Sequence, residues 1–208
     1  MPLCLIFDLD GTLVDSEGLS MRAFTDLLPD LRLSVLELTH RYRGKKLREV
    51  FADIESIVGH ELEAEFEKIY RAQVAVLFEQ ELKAIEGVHA MLDALPFPRC
   101  IASSGPPVKI AQALQITGLA PYFGDRIFSS HDIQSWKPDP GLFLHAAAAM
   151  GFKPRDCVVI EDSEVGVEAA IAAGMRVFRY LPELAVDTGS RCTAFSRMSE
   201  LPLLIAEQ

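Results

Sequence analysis

Cysteine is scarce in this sequence and never paired: Cys4, Cys100, Cys157 and Cys192 stand far apart, without the close doublets that bind zinc or exchange disulfides. They read as small buried hydrophobes in a reducing compartment. Positive charge is also in deficit, with 20 basic against 30 acidic residues and a formal net charge of -10. Such a balance repels a nucleic-acid backbone and an anionic membrane surface, so neither is an expected partner. Long apolar runs are missing too. The stretch before Asp8 is too short to span a bilayer and lacks the basic flank of a signal peptide. A cytoplasmic protein is expected. The five histidines, His40, His60, His89, His131 and His145, show no metal-ligand spacing, and none is assigned to catalysis.

What is present is the pattern of an α/β protein. Half of the 208 residues are hydrophobic, enough for one substantial core and a small accessory lobe. Short apolar runs recur at Leu3 to Phe7, Cys100 to Ala102, Ile127 to Phe128, Val158 to Ile160 and Val177 to Phe178, with helical patterns between them. That alternation predicts a parallel sheet covered by helices, a Rossmann-like three-layer core. Val88, Met91, Leu92 and Leu95 share one helical face. Leu142 to Met150 is alanine-rich, and Ser163 suits the N-cap of a helix over Glu164 to Ala173 that Gly174 would stop. Val186 to Phe195 offers a further edge element.

The interval between the first two strands is far longer than one crossover helix needs. Leu47, Val50, Phe51, Ile54, Ile57 and Val58 form one apolar stripe, and Leu62, Phe66, Ile69, Val76 and Leu77 another. Amphipathic helices without strands predict an inserted all-helical domain over residues 14–85, leaving residues 1–13 and 86–208 as the core. Because the insertion departs from the first strand's carboxyl end, it is expected to sit over that end of the sheet.

The chemistry-bearing residues fall at strand ends. Asp8 and Asp10 follow the first strand where the chain turns at Gly11, and Glu161 and Asp162 follow the strand ending at Ile160. In an open parallel sheet the carboxyl edge is where ligands bind, so four exposed carboxylates are expected to converge there. Their repulsion needs a cation, and carboxylate and carbonyl oxygens suit Mg²⁺, which also accepts phosphate oxygens. Ser103 offers a hydroxyl and Lys137 a positive charge, both suited to a phosphoryl group in its transition state. Singly, Asp and Gly make a turn, Ser103 is a strand-end hydrogen bonder and Lys137 a solvated charge. The ordered set points to phosphoryl transfer.

DLDGTLVDS from Asp8, Ser103, Lys137 in SWKPDP, and EDSEVG from Glu161 resemble the four ordered motifs of the haloacid dehalogenase superfamily. The resemblance covers almost the whole chain. It implies that Asp8 attacks phosphorus and becomes a phosphoaspartate, while Asp10 protonates the leaving oxygen and then activates water. It also implies Mg²⁺ held by Asp8, the backbone carbonyl of Asp10 and Asp162, with Glu161 a ligand or an orienter. The insertion resembles the helical cap of the phosphoglucomutase-like subfamily, with Asp15 and Glu86-Gly87 near its hinges.

RGKKLREVF at 43–51, YRAQVAVLFEQELKAIEG at 70–87 and DIQSWKPDP at 132–140 are similar to the branch of bacterial phosphatases that act on 6-phosphogluconate. The implied partner is therefore a small phosphorylated metabolite, a sugar phosphate such as 6-phosphogluconate. Arg43 and Lys45 are the leading candidates to bind it from the insertion, ahead of Lys46, Lys68 and Arg71, and Ser104 joins them from the core. Two positions depart from the expected pattern: Ser104 replaces an asparagine and Glu161-Asp162 replaces two aspartates. The competing readings are a phosphosugar mutase of the beta-phosphoglucomutase type and a non-catalytic binding protein with the same fold.

Overall fold

The computed structural model describes residues 3–182 and 192–207. The chain divides into two compact units, one running up to Val14 and resuming at Ala84, the other Asp15–Lys83. At the seam Val14 forms an antiparallel bridge with Ala84, Ile85 N donates to Leu13 O at 3.0 Å, and Asp15 N donates to Lys83 O at 3.0 Å.

The Asp15–Lys83 unit consists of helices α1 (Glu17–Leu27), α2 (Val35–Tyr42), α3 (Leu47–Val58) and α4 (Phe66–Glu81). Ser34 starts α2 with a reciprocal capping box: its hydroxyl accepts from Glu37 N, and Glu37 Oε2 accepts from Ser34 N at 2.8 Å. Gly59 ends α3 at φ +81°, a left-handed turn that a side chain would strain. The core of this unit is aromatic. The Phe24 ring stacks on Tyr70 with centroids 4.3 Å apart and meets Phe51 edge-on at 5.8 Å. The apolar stripe of α4 is displaced from its expected register, because the buried face follows Phe66, Tyr70, Val74, Leu77 and Phe78. Ile69 and Val76 lie about a third of a turn off that line and stay exposed, as Ile57 does on α3.

In the other unit β1 (Cys4–Phe7), β2 (Arg99–Ser103), β3 (Ile127–Ser129), β4 (Cys157–Glu161), β5 (Arg176–Tyr180) and β6 (Thr193–Phe195) form one sheet in the order β3-β2-β1-β4-β5-β6. Every pair is parallel, with Ile6 opposite both Cys100 and Val159, and Glu161 opposite Arg179. The α/β architecture expected from the apolar runs is thus present. The proposed edge element is found only at Thr193–Phe195; residues 186–191 lie outside the described chain.

The helices α5 (Val88–Ala94), α6 (Pro107–Ile116), α7 (Ala120–Phe123), α8 (Ser130–Ile133), α9 (Gly141–Ala149), α10 (Glu164–Ala172) and α11 (Leu201–Ala206) belong to this unit. Leu142, Phe143, Ala146 and Ala147 of α9 and Val167, Ala169 and Ala170 of α10 share one core cluster with Ile6, Ala102, Val159 and Val177 of the strands. Alanines let these helices approach the sheet closely. Cys4, Cys100 and Cys157 are buried free thiols in that cluster. The hydrogen bond with Cys100 and burial push the Cys4 thiol up to about 12, so it stays protonated and unreactive. Among the described residues no helix is long and apolar enough to cross a membrane.

Strand direction positions the site. With all strands parallel, their carboxyl ends share one rim, and the chain order reverses on either side of β1: β2 and β3 lie to one side, β4 to β6 to the other. Ligand crevices in such sheets open at that reversal.

Candidate active site

The loop after β1 is built around one glycine. Asp8 N still donates to Ile160 O at 2.9 Å, so the β1–β4 ladder runs one residue past Phe7. Gly11 then turns the chain at φ +76° and donates to Val14 O at 3.0 Å. A Cβ at Gly11 would lie 2.6 Å from Asp162 Oδ2, so both the turn and the space demand glycine. Thr12 Oγ1 donates to Asp162 Oδ1 at 3.2 Å, tying the β1 loop to the end of β4.

Glu161 is buried with both carboxylate oxygens engaged. Oε1 accepts from Lys137 Nζ at 2.7 Å, and Oε2 accepts from Ser163 N at 2.6 Å and Ser163 Oγ at 2.9 Å. The same Ser163 hydroxyl accepts from Gly166 N and caps α10, as its sequence position predicted. Lys137 reaches the cluster from the segment before α9, where Asp139 accepts from Ser135 Oγ at 2.6 Å and Gly141 N at 2.8 Å. Its ammonium lies 2.5 Å from Asp8 Oδ1, bridging Asp8 and Glu161.

Oxygens of Asp8, Glu161 and Asp162 all lie within 4.8 Å of one another. The acids are not exposed at the rim as anticipated: Asp8, Glu161 and Asp162 are 6%, 1% and 5% accessible. The reason is tertiary, since Lys137 and the start of α10 close over them. Burial raises Asp8 to about 8, with the Glu161 charge adding to the rise and Lys137 opposing it. Burial alone would lower Lys137, but the two adjoining carboxylates outweigh it and hold the ammonium above its ordinary value. The Lys137 ammonium pairs with two of the three clustered acids, Asp8 and Glu161. A divalent cation balances that donor set, and its oxygen chemistry fits Mg²⁺.

Asp10 stands apart from this triad. Its Oδ1 accepts from Lys109 Nζ at 2.8 Å, with both side chains about one quarter exposed. Ser103 is buried at the end of β2, and its hydroxyl accepts from Gly105 N at 3.1 Å. A Cβ placed on Gly105 would lie 3.4 Å from Ser103 Oγ and 3.7 Å from Asp10 Oδ2, so both groups face the same glycine. Ser129 Oγ donates to Gly105 O at 2.7 Å and pins this turn from β3. Ser104 beside it is exposed.

Arg43 and Lys45 lie in the helical unit and are engaged there. Arg43 Nε donates to Glu17 Oε2 at 2.9 Å, and Lys45 Nζ sits 5.6 Å from the Tyr42 ring centroid. Lys68 pairs with Glu65 and Arg71 with Glu67. Trp136 packs edge-on against His131.

Three further residues contact the acidic groups without having been singled out. Thr12 holds the Asp162 side chain, Lys109 holds Asp10, and Arg179 Nε donates to Asp162 O at 3.0 Å. Two of them carried a signal. Lys109 is a cation in the first turn of a helix, against the helix dipole, which implies a nearby acid. Arg179 interrupts an apolar strand and must be paired.

A family model described as haloacid dehalogenase-like hydrolase matches residues 3–174. Escherichia coli 6-phosphogluconate phosphatase is 40% identical over 205 residues, covering 96% of this chain and 93% of that protein. The fructose-1-phosphate phosphatase of the same organism is 31% identical, covering 82% and 92%. The crystal structure of a haloacid dehalogenase-like protein from Agrobacterium tumefaciens superposes with a TM-score of 0.85 at 33% identity, covering 100% of this chain and 99% of that one.

Proposed function

Because the chain belongs to the haloacid dehalogenase-like hydrolases and is a phosphatase, we propose that it hydrolyses a sugar phosphate, with 6-phosphogluconate among its better substrates, by Mg²⁺-dependent transfer to Asp8. The observation that carries this reading is the buried triad of Asp8, Glu161 and Asp162, with the Lys137 ammonium bridging Asp8 and Glu161. The substrate class rests on the 40% identity to the 6-phosphogluconate phosphatase, which extends through the helical unit. Such an enzyme of metabolite chemistry belongs in the cytoplasm.

In the first step an Asp8 oxygen attacks phosphorus, the bond from phosphorus to the sugar oxygen breaks, and Asp10 gives that oxygen its proton. In the second, Asp10 takes a proton from water as the water oxygen attacks the phosphoaspartate, which frees inorganic phosphate and restores Asp8. Lys137 and Ser103 stabilise the charge spreading over the phosphoryl oxygens. Asp8, Asp162 and the backbone carbonyl of Asp10 would hold Mg²⁺, and Glu161 orients Lys137, a role supported by its engagement with Lys137 and Ser163. When bound, the ion polarises the phosphoryl group and screens the approach of one anion to another. Residues 14–85 are read as the specificity unit, with Arg43 and Lys45 the candidates for a substrate's anionic groups and Ser104 a contact from the core.

Phosphate release from a panel of sugar phosphates, measured for the parent and Asp8→Asn with Mg²⁺ and with chelator, tests this. Release is expected from the parent with Mg²⁺ alone. Equal activity in Asp8→Asn would remove the phosphoaspartate. An isomeric sugar phosphate in place of inorganic phosphate would make the chain a mutase, and indifference to 6-phosphogluconate while other esters turn over would remove that substrate alone.

A further inference from the structure

Asp162 is held at two points, one on its side chain and one on its backbone. Thr12 grips its carboxylate from the β1 loop, and Arg179 grips its backbone from β5. Arg179 stands directly opposite Glu161 in the β4–β5 ladder, so its side chain starts beside the last residue of β4. Its Nε donates to the Asp162 carbonyl at 3.0 Å, and its Nη1 pairs with Glu164 Oε2 in the first turn of α10. The side chain is only 11% exposed. An arginine buried to this degree is retained only with its donors satisfied, and here two of them meet residues 162 and 164 on either side of Ser163.

This arrangement has a chemical consequence. The turn from β4 into α10 carries Glu161, Asp162 and the cap Ser163 in succession, so small rotations of the 162–163 peptide would swing the Asp162 carboxylate. A guanidinium always carries its charge, and its planar fork can span two acceptors, whereas an ammonium is a single point of charge. Partners behind a ligand set its orientation before the ion arrives, and removing them characteristically weakens metal affinity about 10- to 100-fold.

We infer that Arg179 is a positioning residue for divalent-cation binding: by fixing the Asp162 backbone and the first turn of α10 together, it presents the Asp162 carboxylate ready-oriented to the ion. The inference rests on the reading above that Asp162 is a ligand. The role assigned to Arg179 is exerted through Asp162 and Glu164.

Isothermal titration of the full chain with Mg²⁺ tests it, using the parent, Arg179→Ala and Arg179→Lys, with thermal unfolding of each metal-free protein alongside. Arg179→Ala is expected to bind Mg²⁺ about 10- to 100-fold more weakly, and Arg179→Lys to fall between it and the parent. A variant with a lowered metal-free unfolding temperature but the parent's Mg²⁺ affinity would assign Arg179 to holding the fold alone and overturn the inference. Should Arg179→Ala fail to fold, Arg179→Lys decides: weaker binding supports the role, and parental affinity removes it. A parent that binds no Mg²⁺ would remove the metal reading itself, a distinct failure that takes this one with it.

Discussion

Lys109 Nζ lies 2.8 Å from Asp10 Oδ1, joining the first turn of α6 to the loop that follows β1. In the proposed mechanism this contact restrains the carboxylate that gives the leaving oxygen its proton. Replacing Lys109 with Met is expected to slow turnover about tenfold, short of the roughly 10²- to 10⁴-fold loss when a general acid–base is removed outright. Lys109→Arg should recover part of it. Steady-state phosphate release on saturating substrate is the measurement, and a Met variant as fast as the parent would deny the contact any part in catalysis.

The triad makes metal-free stability depend on pH. Burial holds Asp8 at about 8 in the folded chain, against 3.8 for an ordinary aspartate. Between those values the native protein keeps a proton that the unfolded chain has released. Stability from this group is therefore greatest in acid and is lost as pH rises, by up to about 1.4 kcal/mol per pH unit. If Asp8 is a ligand as proposed, Mg²⁺ binding displaces that proton, and its affinity is expected to climb over the same interval. Urea unfolding in chelator across the range reads the first effect, and a midpoint that increases towards pH 8 would contradict it.

A methyl group at Gly166 would overlap the Glu161 carboxylate, which Lys137 and Ser163 hold in place. Gly166→Ala should displace Glu161, loosen Lys137 and cost about 1–3 kcal/mol of stability along with most activity. Gly18, in the first turn of α1, has no heavy atom beyond its chain neighbours and its own helix backbone within 4 Å of such a methyl, so Gly18→Ala should gain about 0.4–1 kcal/mol. A denaturant midpoint for Gly166→Ala at or above the parent's would refute the clash with Glu161, and a lower one for Gly18→Ala would refute the open space beside it.

In the helical unit the Phe24 ring meets Phe51, Phe66 and Tyr70. Truncation to alanine removes the shared partner of three rings and should cost about 3–5 kcal/mol. Hydrogen exchange of α1 to α4 reads the loss, and unchanged protection there would refute it.

The parallel core was legible because strands buried on both faces leave unbroken apolar runs such as Cys4–Phe7 and Cys157–Ile160. The acids were legible because they follow those runs immediately. Their burial was not, because it depends on Lys137 arriving from 129 residues along the chain from Asp8. Lys109 and Arg179 escaped for a related reason: a side chain's partner is chosen by packing that local sequence does not encode. The face of α4 was misjudged where Ile69 and Val76, though apolar, stay in solvent while the half-polar Tyr70 turns inward and donates to Ser20 O at 3.2 Å.

The bridge between Val14 and Ala84 places the departure and return of the inserted stretch side by side. Ends already adjacent can be joined by a short loop at small entropic cost, so the stretch is a cassette between two fixed seams. A different cassette could be spliced there without shifting the register of any strand, letting the catalytic rim and the inserted helices diverge at separate rates.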